Sequence, residues 1–252
     1  MAELIADEIL ARYRDQGFVH VPQVLTPEEV KEFLAASMRQ LEEQEKVTWD
    51  REDGNVMDWV TYADRKSEAM RRLALHPRIC AIAELLAGEK LRMFKSEILR
   101  KGPEKSAVTP IHADAPAIPY AGKPVGLTAW VALTDVPVER GCMTFIPGSH
   151  LRPESPATAE QARHTLFACP PELRWEPRVT VPLRAGDCTF HHERVMHMAG
   201  RNETAEPRVS LTTVYMDAEA TFDPSALVAH DLGLAAGDPL NDDRFPLIGA
   251  RA

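Results

Sequence analysis

The 252-residue sequence lacks a long hydrophobic run and a surplus of positive charge. No stretch approaches the roughly 18 to 20 consecutive apolar residues that a membrane span requires. Acidic residues outnumber basic ones by 38 to 29, and the resulting net charge of −9 argues against unaided binding to nucleic acid or to an anionic membrane. We therefore expect neither nucleic acid nor a membrane as a partner.

Paired-cysteine motifs are also missing. The four cysteines, Cys80, Cys142, Cys169 and Cys188, lie far apart and show no C-x-x-C spacing, so free thiols in a reducing cytoplasm are expected. The N-terminal residues 1–8 are acidic where a signal peptide would carry positive charge and then an apolar run. Both observations predict a cytoplasmic protein.

The composition that is present is typical of a soluble globular protein, with 44 % hydrophobic and 27 % charged residues. Proline is abundant: 20 residues are about 8 % of the chain, against roughly 5 % in average proteins. Excess proline disfavours long helices and favours turns and short strands. The length and the absence of an internal repeat or a low-complexity linker predict a single domain, residues 1–252.

The first part of the chain, residues 1–90, has mainly helical patterns. Thr26 and Glu29 enclose a capping box with proline at the first helical position, which is a typical helix start. Residues 46–62 show a mixed pattern and are expected to form a loop. The helices are predicted over residues 3–16, from Pro27 onward, and from near Pro77 to Gly88.

From residue 91 onward the pattern changes to short runs rich in β-branched and aromatic residues, separated by Pro, Gly and Asp. Many short strands with such turn signals predict a jelly roll, over residues 91–216. Residues 151–177 form a proline-rich insertion. Residues 217–252 are expected to be a solvated C-terminal extension, with a lid near the barrel mouth as the alternative. The fold class is therefore α+β, mainly β. The predicted strands begin at Leu91, Gly126, Cys142, Arg178, Cys188 and Arg208.

His112 and Asp114 form a His-x-Asp pair. On a strand, residues i and i+2 point to the same face, so the two side chains would project together as adjacent metal ligands. A histidine-rich cluster, His191, His192 and His197, follows beyond several predicted strands, and a barrel can bring one of its members opposite the pair. Two histidines and one carboxylate form the facial triad of non-haem iron(II) oxygenases.

Arg208 and Ser210 lie two residues apart on a predicted strand and so share one face. A guanidinium group beside a hydroxyl is suited to binding a carboxylate. If this face looks into the barrel, the predicted ligand is an acid bound beside the metal.

In their order and spacing, these motifs resemble those of the phytanoyl-CoA dioxygenase family of iron(II)- and 2-oxoglutarate-dependent oxygenases, over roughly residues 10–216. The matching segments are Tyr13 to Val30, Lys101-Gly-Pro, His112-Ala-Asp, Trp130-Val-Ala-Leu-Thr-Asp, Gly141 to His150, and His197 to Arg208 with its Gly, Asn and Arg in register.

The resemblance implies a double-stranded β-helix, cupin-like, with the helical N-terminal region packed on it. It implies that His112, Asp114 and His197 hold Fe(II) and that Arg208 binds the distal carboxylate of 2-oxoglutarate. Lys101 and Trp130 match positions near this cosubstrate in some members. The implied reaction consumes O2, releases succinate and CO2, and hydroxylates or otherwise oxidises an unactivated C–H bond of a small metabolite or natural-product intermediate.

Two features refine this interpretation. The family often has serine two residues after the distal histidine, where this chain has Ala199, and Ser210 is the expected substitute. Asp114 fills the position that halogenating relatives leave open for chloride, so hydroxylation is favoured. Two alternatives remain: a cupin-type metalloenzyme that uses no 2-oxoglutarate, and a non-catalytic binding module. The sequence leaves the substrate and the oligomeric state open.

Overall fold

The computed structural model describes residues 2–43, 46–104, 106–152, 165, 167, 169–228 and 230–249. Within these residues the chain forms five α-helices, four of them in the first eighty residues. The helices are α1 (Ala2–Gln16), α2 (Pro27–Glu43), α3 (Ala63–Lys66), α4 (Glu68–Ala74) and α5 (Pro77–Ala87).

Thirteen β-strands account for most of the rest of the described chain. They are β1 (Phe18–Val21), β2 (Val47–Arg51), β3 (Gly54–Thr61), β4 (Leu91–Lys101), β5 (Thr109–His112), β6 (Tyr120–Ala121), β7 (Leu127–Ala132), β8 (Met143–Phe145), β9 (Val179–Val181), β10 (Cys188–His192), β11 (His197–Ala199), β12 (Arg208–Asp217) and β13 (Thr221–Phe222).

The strands form two main antiparallel sheets, which is the double-stranded β-helix expected from the sequence. The major sheet has the order β1-β10-β7-β12-β4-β3-β2, and the minor sheet has the order β5-β11-β8-β9. Non-consecutive neighbours such as β10 and β7 place residues that are distant in sequence side by side. The short pair β6 and β13 lies apart from both sheets.

The predicted helix starts and ends are confirmed. The Thr26 hydroxyl accepts a hydrogen bond from the Glu29 amide at 3.2 Å, and the Glu29 carboxylate accepts one from the Thr26 amide at 2.8 Å. Helix α5 ends at Gly88, which has the left-handed φ of 68° that suits glycine. Apolar side chains of the helices pack with those of the major sheet in one hydrophobic cluster that contains Phe33, Ile79 and Phe190.

The expectation of a loop over residues 46–62 is wrong. Strands β2 and β3 form a hairpin that pairs through β3 with β4 and so extends the major sheet. The signal was present, because Asp53-Gly54 is a strong hairpin-turn dipeptide and Gly54 has a positive φ of 123°. Buried Val56 and Val60 fit a strand with one face on the core.

The expectation that residues 217–252 are a solvated extension is also wrong for the described part of this segment. Leu240 and Phe245 are fully buried, and Phe245 stacks on Phe94 of β4 with ring centroids 6.0 Å apart. Backbone bonding supports this packing, since Met93 donates to the carbonyl of Pro246 at 3.0 Å. The apolar residues of this segment show no helix or strand periodicity because its backbone is irregular, and not because the segment is exposed.

Candidate active site

His112, Asp114 and His197 come together at one end of the minor sheet. His112 and His197 are directly opposite each other in the β5–β11 pairing, with ring centroids 4.2 Å apart. Asp114 lies just after β5, where the chain turns into a short 3-10 helix, so strand alternation is not what places it. One ligand atom from each of the three residues lies within 4.8 Å of the others.

Backbone contacts fix both imidazoles with the same tautomer. The Nδ1 atom of His112 lies 2.8 Å from the carbonyl oxygen of Pro110, and Nδ1 of His197 lies 3.0 Å from that of Val195. A carbonyl accepts only, so each Nδ1 carries the hydrogen and each Nε2 presents a lone pair. The two Nε2 atoms lie 3.8 Å and 3.6 Å from Oδ1 of Asp114.

The second carboxylate oxygen of Asp114 has different partners. Oδ2 accepts a hydrogen bond from the Thr128 hydroxyl at 2.7 Å and lies 3.2 Å from Nε2 of His191. Burial opposes ionisation, but nearby His197 and the His191 hydrogen bond hold the pKa of Asp114 well below its ordinary value. The carboxylate is therefore ionised and oriented.

Burial also lowers the pKa of the two histidines, to about 3 for His197. Neutral imidazoles and one carboxylate are the ligands that divalent iron takes in a facial triad. The three residues therefore fit a non-haem iron ion.

Arg208 places a positive charge in the same cavity, which suits an anionic ligand. Its side chain is 1 % exposed, its Nη1 donates to the carbonyl of Gly141 at 2.7 Å, and its guanidinium carbon lies 5.2 Å from the centroid of the Trp130 ring. Burial lowers its pKa to about 10, so the group stays positive at neutral pH. Its Nε has no partner, and no carboxylate of the described residues pairs with it.

Lys101 and Ser210 were also predicted to lie near the cosubstrate, but they are buried behind the residues that line the cavity. Lys101 is fully buried beside Arg208, and its Nζ donates to the carbonyls of Val56 and Ala107. Burial lowers the Lys101 pKa to about 6. Ser210 is buried with an unpartnered hydroxyl.

A cavity of about 740 Å³ contains the His-Asp-His cluster together with Arg208 and Trp130. Lys101 and Ser210 are not among the residues that line it. This volume falls within the range typical of small-molecule sites.

Sequence reasoning missed Thr109, which lines this cavity and has a buried hydroxyl without a hydrogen-bond partner. Thr109 is the cross-strand partner of Ala199, the position where the family often has serine. The available signal was the position of Thr109 on the strand that carries His112. This signal becomes informative only when the β5–β11 pairing is known.

His191 and Thr128 were missed as contacts of Asp114. They are direct neighbours in the β10–β7 pairing, which the sequence alone does not reveal.

A double-stranded β-helix that holds a His-x-Asp pair, a distal histidine and a buried arginine in one cavity defines a class, the non-haem iron, 2-oxoglutarate-dependent enzymes. The chain belongs to the phytanoyl-CoA dioxygenase family, whose sequence model matches residues 13–210.

The chain is 25 % identical over 213 residues to mouse (Mus musculus) peroxisomal phytanoyl-CoA dioxygenase, covering 80 % of this chain and 59 % of that protein. It spans between 49 % and 65 % of the length of the first four curated relatives that it matches.

Two solved structures are much more similar. One is SnoN, a non-haem α-ketoglutarate-dependent epimerase from nogalamycin biosynthesis, with a TM-score of 0.90, 50 % identity and coverage of 98 % of this chain and 99 % of that chain. SnoN has also been solved with Fe3+, α-ketoglutarate and nogalamycin RO. The other is the carbocyclase SnoK, with a TM-score of 0.88, 42 % identity and coverage of 98 % and 97 %.

In the described part of the chain, no helix has the length and apolar character needed to cross a membrane.

Proposed function

We propose that this chain is an iron(II)- and 2-oxoglutarate-dependent oxygenase that hydroxylates an unactivated C–H bond of a small metabolite or natural-product intermediate, with release of succinate and CO2. The observation that carries this proposal is the buried guanidinium of Arg208, which has no carboxylate partner among the described residues and lies in the cavity of the His-Asp-His cluster. A buried charge is costly unless it is paired, so this position calls for an anionic ligand.

Each residue of the site has a proposed role. His112, Asp114 and His197 hold the iron, and Arg208 binds the distal carboxylate of 2-oxoglutarate, with Trp130 against its guanidinium. Thr109 offers that carboxylate a hydroxyl. Bound iron, with 2-oxoglutarate and O2, supplies the oxidising power for attack on a C–H bond.

The protein contributes orientation and exclusion of water. Carbonyl contacts fix the two imidazoles, and Thr128 fixes the carboxylate, so the donor atoms need little reorganisation when the metal binds. Lys101 and Ser210 stay predictions for the cosubstrate region, since both are buried next to residues that face it.

The unpaired arginine also argues against the two alternatives. A cupin-type metalloenzyme without 2-oxoglutarate has no need of a buried cation at this place, and a non-catalytic module has no need of an incomplete metal ligand set beside it.

The backbone supports a single domain over residues 1–252, because β1 of the N-terminal region pairs with β10 of the jelly roll.

A visible absorption band on anaerobic addition of Fe(II) and 2-oxoglutarate tests the proposal directly, since a chelated 2-oxo acid gives such a band. We expect the band in the parent chain. His112→Ala should lose iron binding and therefore the band, and Arg208→Ala should need a much higher 2-oxoglutarate concentration to form it. Arg201→Ala is the matched control, because Arg201 pairs with Asp53 at the surface. No band in the parent chain, with no succinate formed under O2, would refute the proposal.

A different reaction outcome also needs a test, because the two similar structures are an epimerase and a carbocyclase. Product masses under 18O2 separate the possibilities. Hydroxylation adds one labelled oxygen atom, epimerisation leaves the mass unchanged, and ring closure with net oxidation removes two hydrogens.

A further inference from the structure

The cavity extends well beyond the residues that the iron and 2-oxoglutarate would contact. One wall follows β4 from Lys95 through Glu97 to Leu99, and these alternate residues face the same side of the sheet. At about 3.3 Å per residue this stretch is about 13 Å long. The two ends of the wall differ in chemistry.

One end is aromatic and apolar. Trp59 lies beside Leu99 in the β3–β4 pairing, and Trp49 lies beside Met57 in the β2–β3 hairpin. The two indoles meet edge to face, with ring centroids 6.5 Å apart, and all four side chains line the cavity. Broad, rigid ring faces of this kind favour contact with flat apolar rings.

The other end is polar and preorganised. The Nε2 atom of His230 lies 3.0 Å from the carbonyl oxygen of Ala117, so Nε2 carries the hydrogen and Nδ1 accepts one from the Tyr62 hydroxyl, also at 3.0 Å. The Tyr62 oxygen is left as an acceptor. Beside it, the Lys95 ammonium group uses one of its three N–H donors on Glu97 at 3.1 Å.

Tyr62 is held in place at a conformational cost. Its φ of 52° and ψ of 44° lie in the left-handed region, which bulky residues rarely adopt. The Arg65 guanidinium carbon lies 4.1 Å from the centroid of its ring, and the ring is packed against the cluster of Phe94 and Phe222. Strained residues of this kind cluster at ligand-binding sites.

Each end is connected to the proposed metal site by side-chain contacts. His230 reaches the carbonyl of Ala117, three residues after Asp114, and so joins the polar end to the metal-binding loop. From the aromatic end, the Phe167 ring stacks on Trp49 at 4.8 Å and meets His112 edge to face at 5.6 Å.

We propose that the substrate has two parts, a flat apolar ring system that lies against Trp49 and Trp59, and a hydroxyl- or amine-bearing part that bonds to Tyr62, Lys95 and Glu97. The inference rests on the proposed function, in which His112, Asp114 and His197 hold the iron that takes part in oxidising the C–H bond. A flexible acyl chain would leave the acceptor of Tyr62 and the remaining donors of Lys95 unused, and it would offer no flat face to the two indoles.

Calorimetric titration of the anaerobic complex with Fe(II) and 2-oxoglutarate tests both parts. The probes share one sugar and differ in the attached group: 4-methylumbelliferyl glucoside, octyl glucoside and methyl glucoside. We expect the umbelliferyl probe to bind at least tenfold more tightly than the other two. Trp59→Leu should remove this preference. Tyr62→Phe should weaken binding of the umbelliferyl glucoside but not binding of free 4-methylumbelliferone. Trp175→Leu is the matched control, since Trp175 is 90 % exposed.

Equal or tighter binding of octyl glucoside, an unchanged preference in Trp59→Leu, or no binding of any probe would overturn the inference. The absorption band of Fe(II) and 2-oxoglutarate, recorded on the same samples, separates this failure from failure of the proposed function. If the band forms and the probes do not discriminate, only the substrate assignment is wrong.

Discussion

His191 Nε2 lies 3.2 Å from Oδ2 of Asp114, while the other carboxylate oxygen is the one shared by the two proposed histidine ligands. His191 was a candidate ligand in the sequence, and the structure places it behind the carboxylate instead. The Nδ1 atom of His191 is buried without a partner, so the hydrogen is best placed on Nε2, where it is donated to Asp114. This bond leaves one oxygen of Asp114 for the metal.

Replacing His191 by alanine should therefore weaken iron binding by roughly 10- to 100-fold, the range typical of lost contacts to a metal ligand. Fe(II) or Co(II) titration followed by absorption measures the change. His191→Gln keeps an N–H donor and should recover part of the affinity, whereas equal loss in both variants would show that the hydrogen bond is not the cause. His20→Gln is the control, because half-buried His20 contacts the carboxylate of Asp187 and not that of Asp114.

The hydroxyl of Thr109 can be tested against the serine that the family often places at position 199. Thr109→Val removes the hydroxyl with little change of shape, and we expect about tenfold weaker binding of 2-oxoglutarate, which corresponds to about 1.4 kcal/mol for a hydrogen bond to a charged group. Adding Ala199→Ser should restore the affinity, because the two positions are cross-strand partners. The absorption titration measures both variants, and unchanged affinity in Thr109→Val would contradict the assignment.

Gly126 has no room for a side chain. A Cβ atom there would overlap the Tyr120 hydroxyl and the Glu193 carboxylate, which are hydrogen-bonded to each other at 2.5 Å inside the protein. Gly126→Ala should lower the free energy of unfolding by about 1–3 kcal/mol through overpacking. Urea unfolding measures this, with Gly102→Ala as the control because an added Cβ there meets nothing within 4 Å. Equal stability of the two variants would contradict the packing argument.

The jelly-roll class and the His112–Asp114 pair could be predicted from local signals, whereas the choice of His197 among three nearby histidines rested on the resemblance to the family. Capping at Thr26 and the strand pattern from residue 91 predict elements, and the match of His197 to Arg208 with the family's motif predicts the rest of the site. The roles of Thr109 and His191 depend on cross-strand pairing between distant segments, which no local pattern encodes.

Local reasoning also failed where backbone is irregular or where burial overrides composition. The Asp53-Gly54 turn was available as a hairpin signal, but the polar residues around it concealed the strands. In residues 217–252, burial of Leu240 and Phe245 arises from packing against Phe94, which is far away in sequence.

The pH dependence of stability provides a last test, through His192. Its Nε2 donates to the carbonyl of Pro124 at 3.1 Å and its Nδ1 accepts from the Arg194 amide at 3.0 Å, so the neutral imidazole has both nitrogens satisfied. Burial and the nearby His150 lower the pKa of His192 to about 4, against about 6.5 in an unfolded chain.

Between these two values the unfolded chain binds a proton that the folded chain does not, so acid destabilises the fold. The free energy of unfolding should fall as the pH drops from about 6.5 to about 4, and His192→Gln should reduce the slope in this window. Urea unfolding of both chains at a series of pH values measures it. Parallel curves would show that His192 is not a source of the acid sensitivity, because removing a group that contributes to the slope must change the slope.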